Sequence, residues 1–198
     1  MQARRELGAD MKYDAGIDIT ECEGVYPPAE DTFLLLDCIG DVRGMEVLEM
    51  GCGTGLISCH VASAGACLTA ADINPKAAEC TRRNLERNRL PGKVVLSDLF
   101  SGVRGRFDLI LFNPPYLAVE EEGDLELAWA GGRTGVEVLA RFLEGAPERL
   151  RPNGKVLLLL SSEMETESLD RALAPFPRRR VGTRRVFFEE LWVEEIAP

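Results

Sequence analysis

The tetrapeptide Asn113-Pro114-Pro115-Tyr116 follows the apolar run Leu109-Ile110-Leu111-Phe112. Prolines lock φ and restrict the residue before them, so the backbone here holds one shape. The Asn113 side-chain oxygen and the Pro114 carbonyl become two rigid acceptors, enough for both hydrogens of one planar NH₂ group. Amide and aromatic-amine nitrogens carry a delocalised, weakly nucleophilic lone pair. Acceptors on both hydrogens favour the charge that builds on nitrogen as it attacks, and Tyr116 can lie over the flat group and exclude water.

A second constellation lies earlier in the chain. Glu49-Met50-Gly51-Cys52-Gly53-Thr54-Gly55 closes an apolar segment with G-x-G-x-G spacing. Glycines let backbone approach a ligand, and a following helix offers free N–H groups. A dinucleotide fingerprint would need its third glycine where Leu56 stands, and no Gly-Lys-Ser/Thr follows to make a phosphate loop. Asp72 lies about 20 residues further on, where a carboxylate accepts both hydroxyls of a ribose. Asp98 ends the next apolar segment, within reach of an adenine amino group. Each acid alone reads equally as a turn cap; together with the glycine loop they describe a nucleoside pocket.

These residues must be positioned by strands and helices in alternation. Strands are expected at 45–50, 67–72, 94–96, 107–112 and 155–160. Helices are expected at 32–39, 56–64, from Pro75 with Asn74 as its cap to about Arg89, over 135–150 and over 164–173. Arg180 to Arg184 and Val186 to Val193 follow each other too closely for a crossover helix, so they should be antiparallel. The pattern implies an α/β fold: a doubly wound, mostly parallel, seven-stranded sheet with a C-terminal antiparallel pair. The chain reads as one domain, with a polar lead-in over 1–24, loosely structured or locally paired, and a core over 25–198. Residues 118–132 read as an acidic loop with Gly123, Gly131, Gly132 and Trp129, either substrate-contacting or a solvated connector. In such sheets ligands bind at strand carboxyl ends, which is where every candidate residue falls.

Composition narrows the function. The 198 residues are 45% hydrophobic and 28% charged, the balance of a globular domain. No apolar run approaches the roughly 20 residues of a membrane span, and the N-terminus has no secretory pattern, which points to the cytoplasm. With 23 basic and 33 acidic residues the net charge is −10, which opposes a bare phosphate backbone. The cluster Arg178, Arg179, Arg180, Arg184 and Arg185 reads either as a solvated strand or as a dock for an acidic partner. Six cysteines (22, 38, 52, 59, 67 and 80) show no C-x-x-C, and His60 is the one histidine. No metal site is expected; the thiols read as reduced and mostly buried, and His60 as structural.

The glycine loop, Asp72, Asp98 and Asn-Pro-Pro-Tyr together resemble class I S-adenosylmethionine-dependent methyltransferases acting on planar nitrogen. More narrowly, the chain resembles the HemK-type protein-glutamine N5-methyltransferases, in their short archaeal and eukaryotic branch. The residues that carry this are Val25-Tyr26-Pro27-Pro28-Ala29-Glu30-Asp31-Thr32-Phe33-Leu34-Leu35-Leu36-Asp37, Asp72-Ile73-Asn74-Pro75 and Ala130-Gly131-Gly132-Arg133. The likeness spans about residues 22–197. It implies S-adenosylmethionine as cofactor and S-adenosylhomocysteine as product. It places Thr32, Gly51, Cys52, Gly53 and Gly55 at the methionine part, Glu49 near its amino or sulfonium end, Asp72 and Ile73 at the ribose, and Asp98 with Leu99 at the adenine. It assigns the substrate amide to Asn113, Pro114, Pro115 and Tyr116. A negative pocket would attract the sulfonium cation. Cys52 departs from the small or polar residues usual there and is expected to make the loop sensitive to oxidation.

The implied substrate is the glutamine of the Gly-Gly-Gln loop in a class I peptide chain release factor. The implied partner is a small zinc-binding activator subunit, related to that of transfer-RNA methyltransferases, added at a sheet edge. Val94-Val95-Leu96 is the candidate contact unless a helix covers that strand. Three rivals stand beside this reading. An adenine-N6 methyltransferase shares Asn-Pro-Pro-Tyr, but the charge opposes nucleic acid. A protein lysine methyltransferase needs a deprotonated amine, for which a planar clamp is ill-suited. A non-catalytic cofactor-binding subunit would not need Asn113 intact. The glycine spacing disfavours a nicotinamide oxidoreductase.

Overall fold

The computed structural model describes residues 11–116 and 136–197. The expected loop over 118–132, with Ala130 to Arg133, lies outside them. In chain order the elements are α1 (Glu30–Asp37), β1 (Glu46–Met50), α2 (Leu56–Ser63), β2 (Cys67–Asp72), α3 (Pro75–Arg87), β3 (Lys93–Leu96), β4 (Phe107–Phe112), α4 (Glu137–Arg149), β5 (Leu150–Ser161), α5 (Thr166–Leu173), β6 (Arg178–Val186) and β7 (Glu189–Ile196). Seven strands form one sheet in the order β3-β2-β1-β4-β5-β7-β6. The first five are parallel to their neighbours. β7 runs antiparallel between β5 and β6. The expected architecture is the observed one.

The central strands alternate between two apolar clusters. Val47, Leu109, Leu111, Leu157 and Leu159 pack on one face with Leu35 and Leu36 of α1 and Ile57 and Val61 of α2. Leu48, Ile110, Phe112, Leu158 and Leu160 pack on the other with Leu139, Phe142 and Leu143 of α4 and Leu169 of α5. A strand apolar at every position is what a sheet covered on both faces requires. Strand order reverses between β1 and β4, which opens a crevice beyond their carboxyl ends.

Three expectations are corrected. The described part of the lead-in, residues 11–24, is neither loose nor merely paired locally: distant side chains of the helices hold it along the molecule. Asn84 takes the Thr20 N–H at 3.0 Å and donates to its carbonyl at 2.9 Å. Asn88 does the same for Asp18, each at 2.8 Å. His60 Nε2 accepts the Asp14 N–H at 2.9 Å, its Nδ1 faces the Leu56 carbonyl at 2.8 Å, and the Tyr13 ring stacks on it. Second, this path lays Cys22 against Cys80 of α3, and the two form a disulfide. They stand 58 residues apart and only the fold brings them together, so spacing could not reveal the pair. Third, of the remaining thiols, Cys67 is exposed whereas Cys52 and Cys59 are buried.

The arginine-rich segment becomes β6, at one edge of the sheet. Arg179 pairs with Glu195, Arg180 with Glu190, and Arg184 with both Glu30 and Asp37, at 2.6–3.2 Å. Its charge is largely answered from within the protein, which favours the solvated-strand reading. No helix among the described residues is long and apolar enough to cross a membrane.

Candidate active site

The crevice at the reversal of strand order encloses about 290 Å³. Two walls meet in it. One is the loop after β1 with the ends of β2 and β3, contributing Gly51, Gly53, Asp72, Ile73, Asp98 and Leu99. The other is Asn113, Pro114, Pro115 and Tyr116 after β4. Val25, Tyr26 and Asp31 close it from the lead-in and α1, and Val138 and Arg141 from α4.

The first wall is tied together by backbone. Gly51 and Gly53 hold φ of +69° and +54°, conformations that a side chain would strain. The Gly51 N–H bonds the Ala71 carbonyl at 2.8 Å, and the Gly53 N–H bonds Asp72 Oδ2 at 3.0 Å. Asp72 Oδ1 takes the Asn74 N–H at 2.8 Å. Burial raises the pKa of Asp72, and these N–H donors oppose the shift. From α3, Thr81 donates to the Gly53 carbonyl and Asn84 to the Thr54 carbonyl, at 3.0 and 2.8 Å. The loop is therefore held before any ligand binds. Asp98 forms an ion pair with Arg141 of α4 at 2.8 Å, both at the cavity's edge.

The second wall is organised by one carboxylate. Asp31, second residue of α1 and 2% exposed, accepts from the Tyr26 hydroxyl at 3.0 Å, from Asn113 Nδ2 at 3.0 Å and from the Tyr116 hydroxyl at 3.5 Å. Thr32 Oγ1 steadies the other carboxylate oxygen at 3.1 Å. An ionised carboxylate only accepts, so the asparagine group facing it must be the NH₂. Asn113 is thereby turned so that Oδ1 is left over. That oxygen is the one buried side-chain polar atom among the described residues without a partner. An orphaned buried acceptor costs about 1–3 kcal/mol unless something donates to it. Burial and the Asp31 charge raise the pKa of both Tyr26 and Tyr116, so both stay protonated donors.

Four candidates do not line the cavity. Thr32 is spent on Asp31 and on the Ala29 N–H, at 3.1 and 3.4 Å. Gly55 caps α2, where a Cβ would meet the Thr81 Cα at 2.9 Å, so it serves the packing of α2 against α3. Cys52 is buried, and burial pushes its thiol well up, which makes it a poor nucleophile and opposes the expected sensitivity to oxidation. Glu49 sits behind the loop, fully buried and bonded by the Ser58 hydroxyl. Desolvation raises its pKa to about 8. The sequence signals missed Asp31 as a ligand-side residue, because an acid at a helix start reads as dipole compensation. Tyr26 and Arg141 were missed too; each earns its place only through a partner brought by the fold.

Comparison with known proteins agrees with this geometry. The sequence profile described as "Methyltransferase small domain" matches residues 19–178. A Methanocaldococcus jannaschii protein named as a protein N5-glutamine methyltransferase is 40% identical over 185 residues, covering 90% of this chain and 94% of that one. Methyltransferase HEMK2 of Mus musculus is 43% identical over 161 residues, covering 73% of this chain and 75% of its own length. Among solved structures, the Mtq2-Trm112 complex of E. cuniculi, described as methylating the eRF1 translation termination factor, superposes with a TM-score of 0.67 at 23% identity. That match covers 87% of this chain and 98% of the other. A doubly wound fold with a glycine loop and strand-end acids around one crevice, matched by this profile and these relatives, defines a methyltransferase. The chain belongs to the methyltransferase small domain family.

Proposed function

We infer that the protein is an S-adenosylmethionine-dependent methyltransferase that modifies the side-chain amide nitrogen of a protein glutamine. Its substrate is the Gly-Gly-Gln loop of a class I peptide chain release factor. The observation that carries this is the buried, unpartnered Asn113 Oδ1, fixed by Asp31 as an acceptor beside the glycine loop. A planar NH₂ is the group that this acceptor, with the Pro114 carbonyl, would satisfy. Two similar proteins support this reading: the M. jannaschii protein, whose name gives a protein glutamine as acceptor, and the E. cuniculi complex, described as methylating a termination factor.

The cavity fits the cofactor in its chemistry. Gly51 and Gly53 allow backbone approach, Asp72 is a ribose acceptor, Ile73 and Leu99 are apolar faces, and Asp98 is an acceptor for an amino group. When bound, the cofactor supplies an electrophilic methyl on sulfur. This chain's residues then do the rest. Asn113 and Pro114 hold the amide hydrogens, Tyr116 flanks the amide, and Asp31 prevents the Asn113 group from turning. Rate gain comes from orientation and from acceptors placed where positive charge develops on nitrogen. No base is needed before attack, because the alkylated nitrogen becomes acidic and sheds its proton afterwards. Thr32, Cys52, Gly55 and Glu49 act by holding the two walls.

The activator would dock on β3. This strand ends the sheet, α3 covers one of its faces, and Leu96 at its end is 58% exposed. An unpaired edge with exposed aliphatic side chains is a template for strand addition. The test is methyl transfer from labelled S-adenosylmethionine, with and without the activator. A release factor, its Gly-Gly-Gln→Gly-Gly-Ala variant and a duplex DNA are the acceptors. Label on the wild-type release factor alone is expected. Label on DNA, or equal label on the variant, would overturn the reading.

A further inference from the structure

The β6–β7 hairpin turns through two residues, Phe187 and Phe188, between the paired Val186 and Glu189. Both rings stand in solvent, at 93% and 102% exposure. Phe187 holds φ of +52°, and Phe188 does not share the left-handed region. A left-handed first position in a two-residue hairpin is where glycine is ordinary and a bulky side chain is an outlier. Folding alone would not select phenylalanine at either place. Backbone strain kept together with two uncovered aromatic rings points to a use outside the fold.

The hairpin's position says what that use is. Ser161, the last residue of β5, pairs with Leu191, the third of β7. The turn therefore projects past the carboxyl edge of the sheet, the edge that carries Asn113 and Tyr116. Its base is fixed there. Arg184 spans Glu30 and Asp37 at the two ends of α1, at 2.8 Å each. Ser161 donates to Glu189 at 2.5 Å, and the Ser162 hydroxyl takes the Glu190 N–H at 2.9 Å. Gly182 lies flat on α1, where a Cβ would meet Cys38 and Leu34 side chains. The Glu189 charge adds, after burial and Asp31, to the raised pKa of the Tyr26 and Tyr116 hydroxyls, in keeping with a hairpin base beside that wall.

We propose that the Phe187–Phe188 turn is an anchor for the protein substrate, seated in an apolar hollow next to the glutamine-bearing loop. This rests on the glutamine reading above and says how the enzyme tells a whole protein from a loop. Two phenylalanines bury about 300–500 Å² together. That is well below the ~1,000 Å² of a stable interface, so a second copy of this chain would not be held by the turn alone. It suits one anchor of a transient encounter whose remaining contacts come from the loop in the cavity. An anionic membrane is disfavoured by the net charge of −10 and by Glu189 and Glu190 flanking the rings.

The test compares the wild type with Phe187→Gly/Phe188→Ser, which gives the turn residues its geometry prefers and so removes the rings without threatening the fold. Both are assayed on the intact release factor and on a short peptide containing Gly-Gly-Gln. KM for the intact protein should rise about tenfold or more, the loss typical of an aromatic anchor, with kcat little changed. Kinetics on the peptide and the cofactor Kd should be the same in both. An unchanged KM for the intact protein overturns the anchor and leaves the glutamine reading standing. A matching loss on the peptide overturns it too, since the turn would then act on the cavity. Loss of dimer in sedimentation, or of binding to phosphatidylcholine vesicles, with KM unchanged would assign the rings to those partners instead. Wild-type protein that labels neither substrate removes the glutamine reading, and the anchor with it.

Discussion

The two walls of the cavity are built by different means. The loop after β1 is held at several separate points, by main-chain bonds to Ala71 of β2 and by the side chains of Asp72, Thr81 and Asn84. Its longest tie to a carboxylate, Gly53 to Asp72, spans 19 residues. The Asn113–Tyr116 wall is held by one side chain, Asp31, across 82 and 85 residues. A wall tied at several separate points keeps most of its shape when one side chain is lost. A wall that converges on one carboxylate fails together when that carboxylate changes. The first suits recognition of a constant cofactor, and the second suits alignment of a reacting group.

Substitutions can break this contrast. Asn113→Ala should lower transfer by on the order of 10³-fold while leaving cofactor Kd within about threefold, read by label transfer and calorimetry. Asp31→Asn is nearly isosteric but can present an NH₂ to Asn113. It should cost about 10²-fold in kcat through misorientation, again with cofactor Kd unchanged. If Asp31→Asn retained full kcat, Asn113 would be held by its prolines alone. Asp72→Ala should act oppositely: it weakens cofactor binding about tenfold or more by orphaning the Gly53 N–H, with kcat at saturating cofactor less affected.

The effect at the support behind the first wall is read in stability, not in turnover. The Glu49 pKa is raised to about 8 by burial, from an ordinary value of 4.5. The folded state therefore holds a proton that the unfolded chain has released between these values. Stability should fall as pH rises from about 4.5 to 8, with a slope of up to about 1.4 kcal/mol per pH unit at this site. Urea midpoints across that range should show the decline, and Glu49→Gln should flatten it. A decline that persists in Glu49→Gln would place its origin elsewhere.

The same contrast explains what could be read from the sequence. The strands, the sheet with its antiparallel end, the glycine loop and the strand-end acids all follow from periodicity and turn residues, which are local. Asn113 was legible because its prolines sit beside it. Asp31 was not legible as a functional group, since at a helix start an acid has a sufficient local reason to be there. Nor could Gly55 be told from Gly51 and Gly53. All three turn the chain, and only packing reveals that one meets Thr81 and the others meet the cavity. The path of residues 11–24 was not legible, because its partners, Asn84, Asn88 and His60, lie 46–70 residues away.

The Cys22–Cys80 bond gives this architecture a topological form. Closing the chain between those residues makes a covalent ring that contains Tyr26, Asp31, the whole glycine loop and Asp72. Asn113 and Tyr116 lie outside it. One half of the cavity is thus a length of chain closed on itself, and the other half is the thread that leaves it. Two seams join ring to thread across the sheet, β2 against β3 and β1 against β4, and the one beside Asn113 is the second, from Val47 opposite Leu109 to Met50 opposite Phe112. The amide clamp lies on the thread and the carboxylate that orients it lies on the ring, so the reaction geometry exists only where that seam is closed.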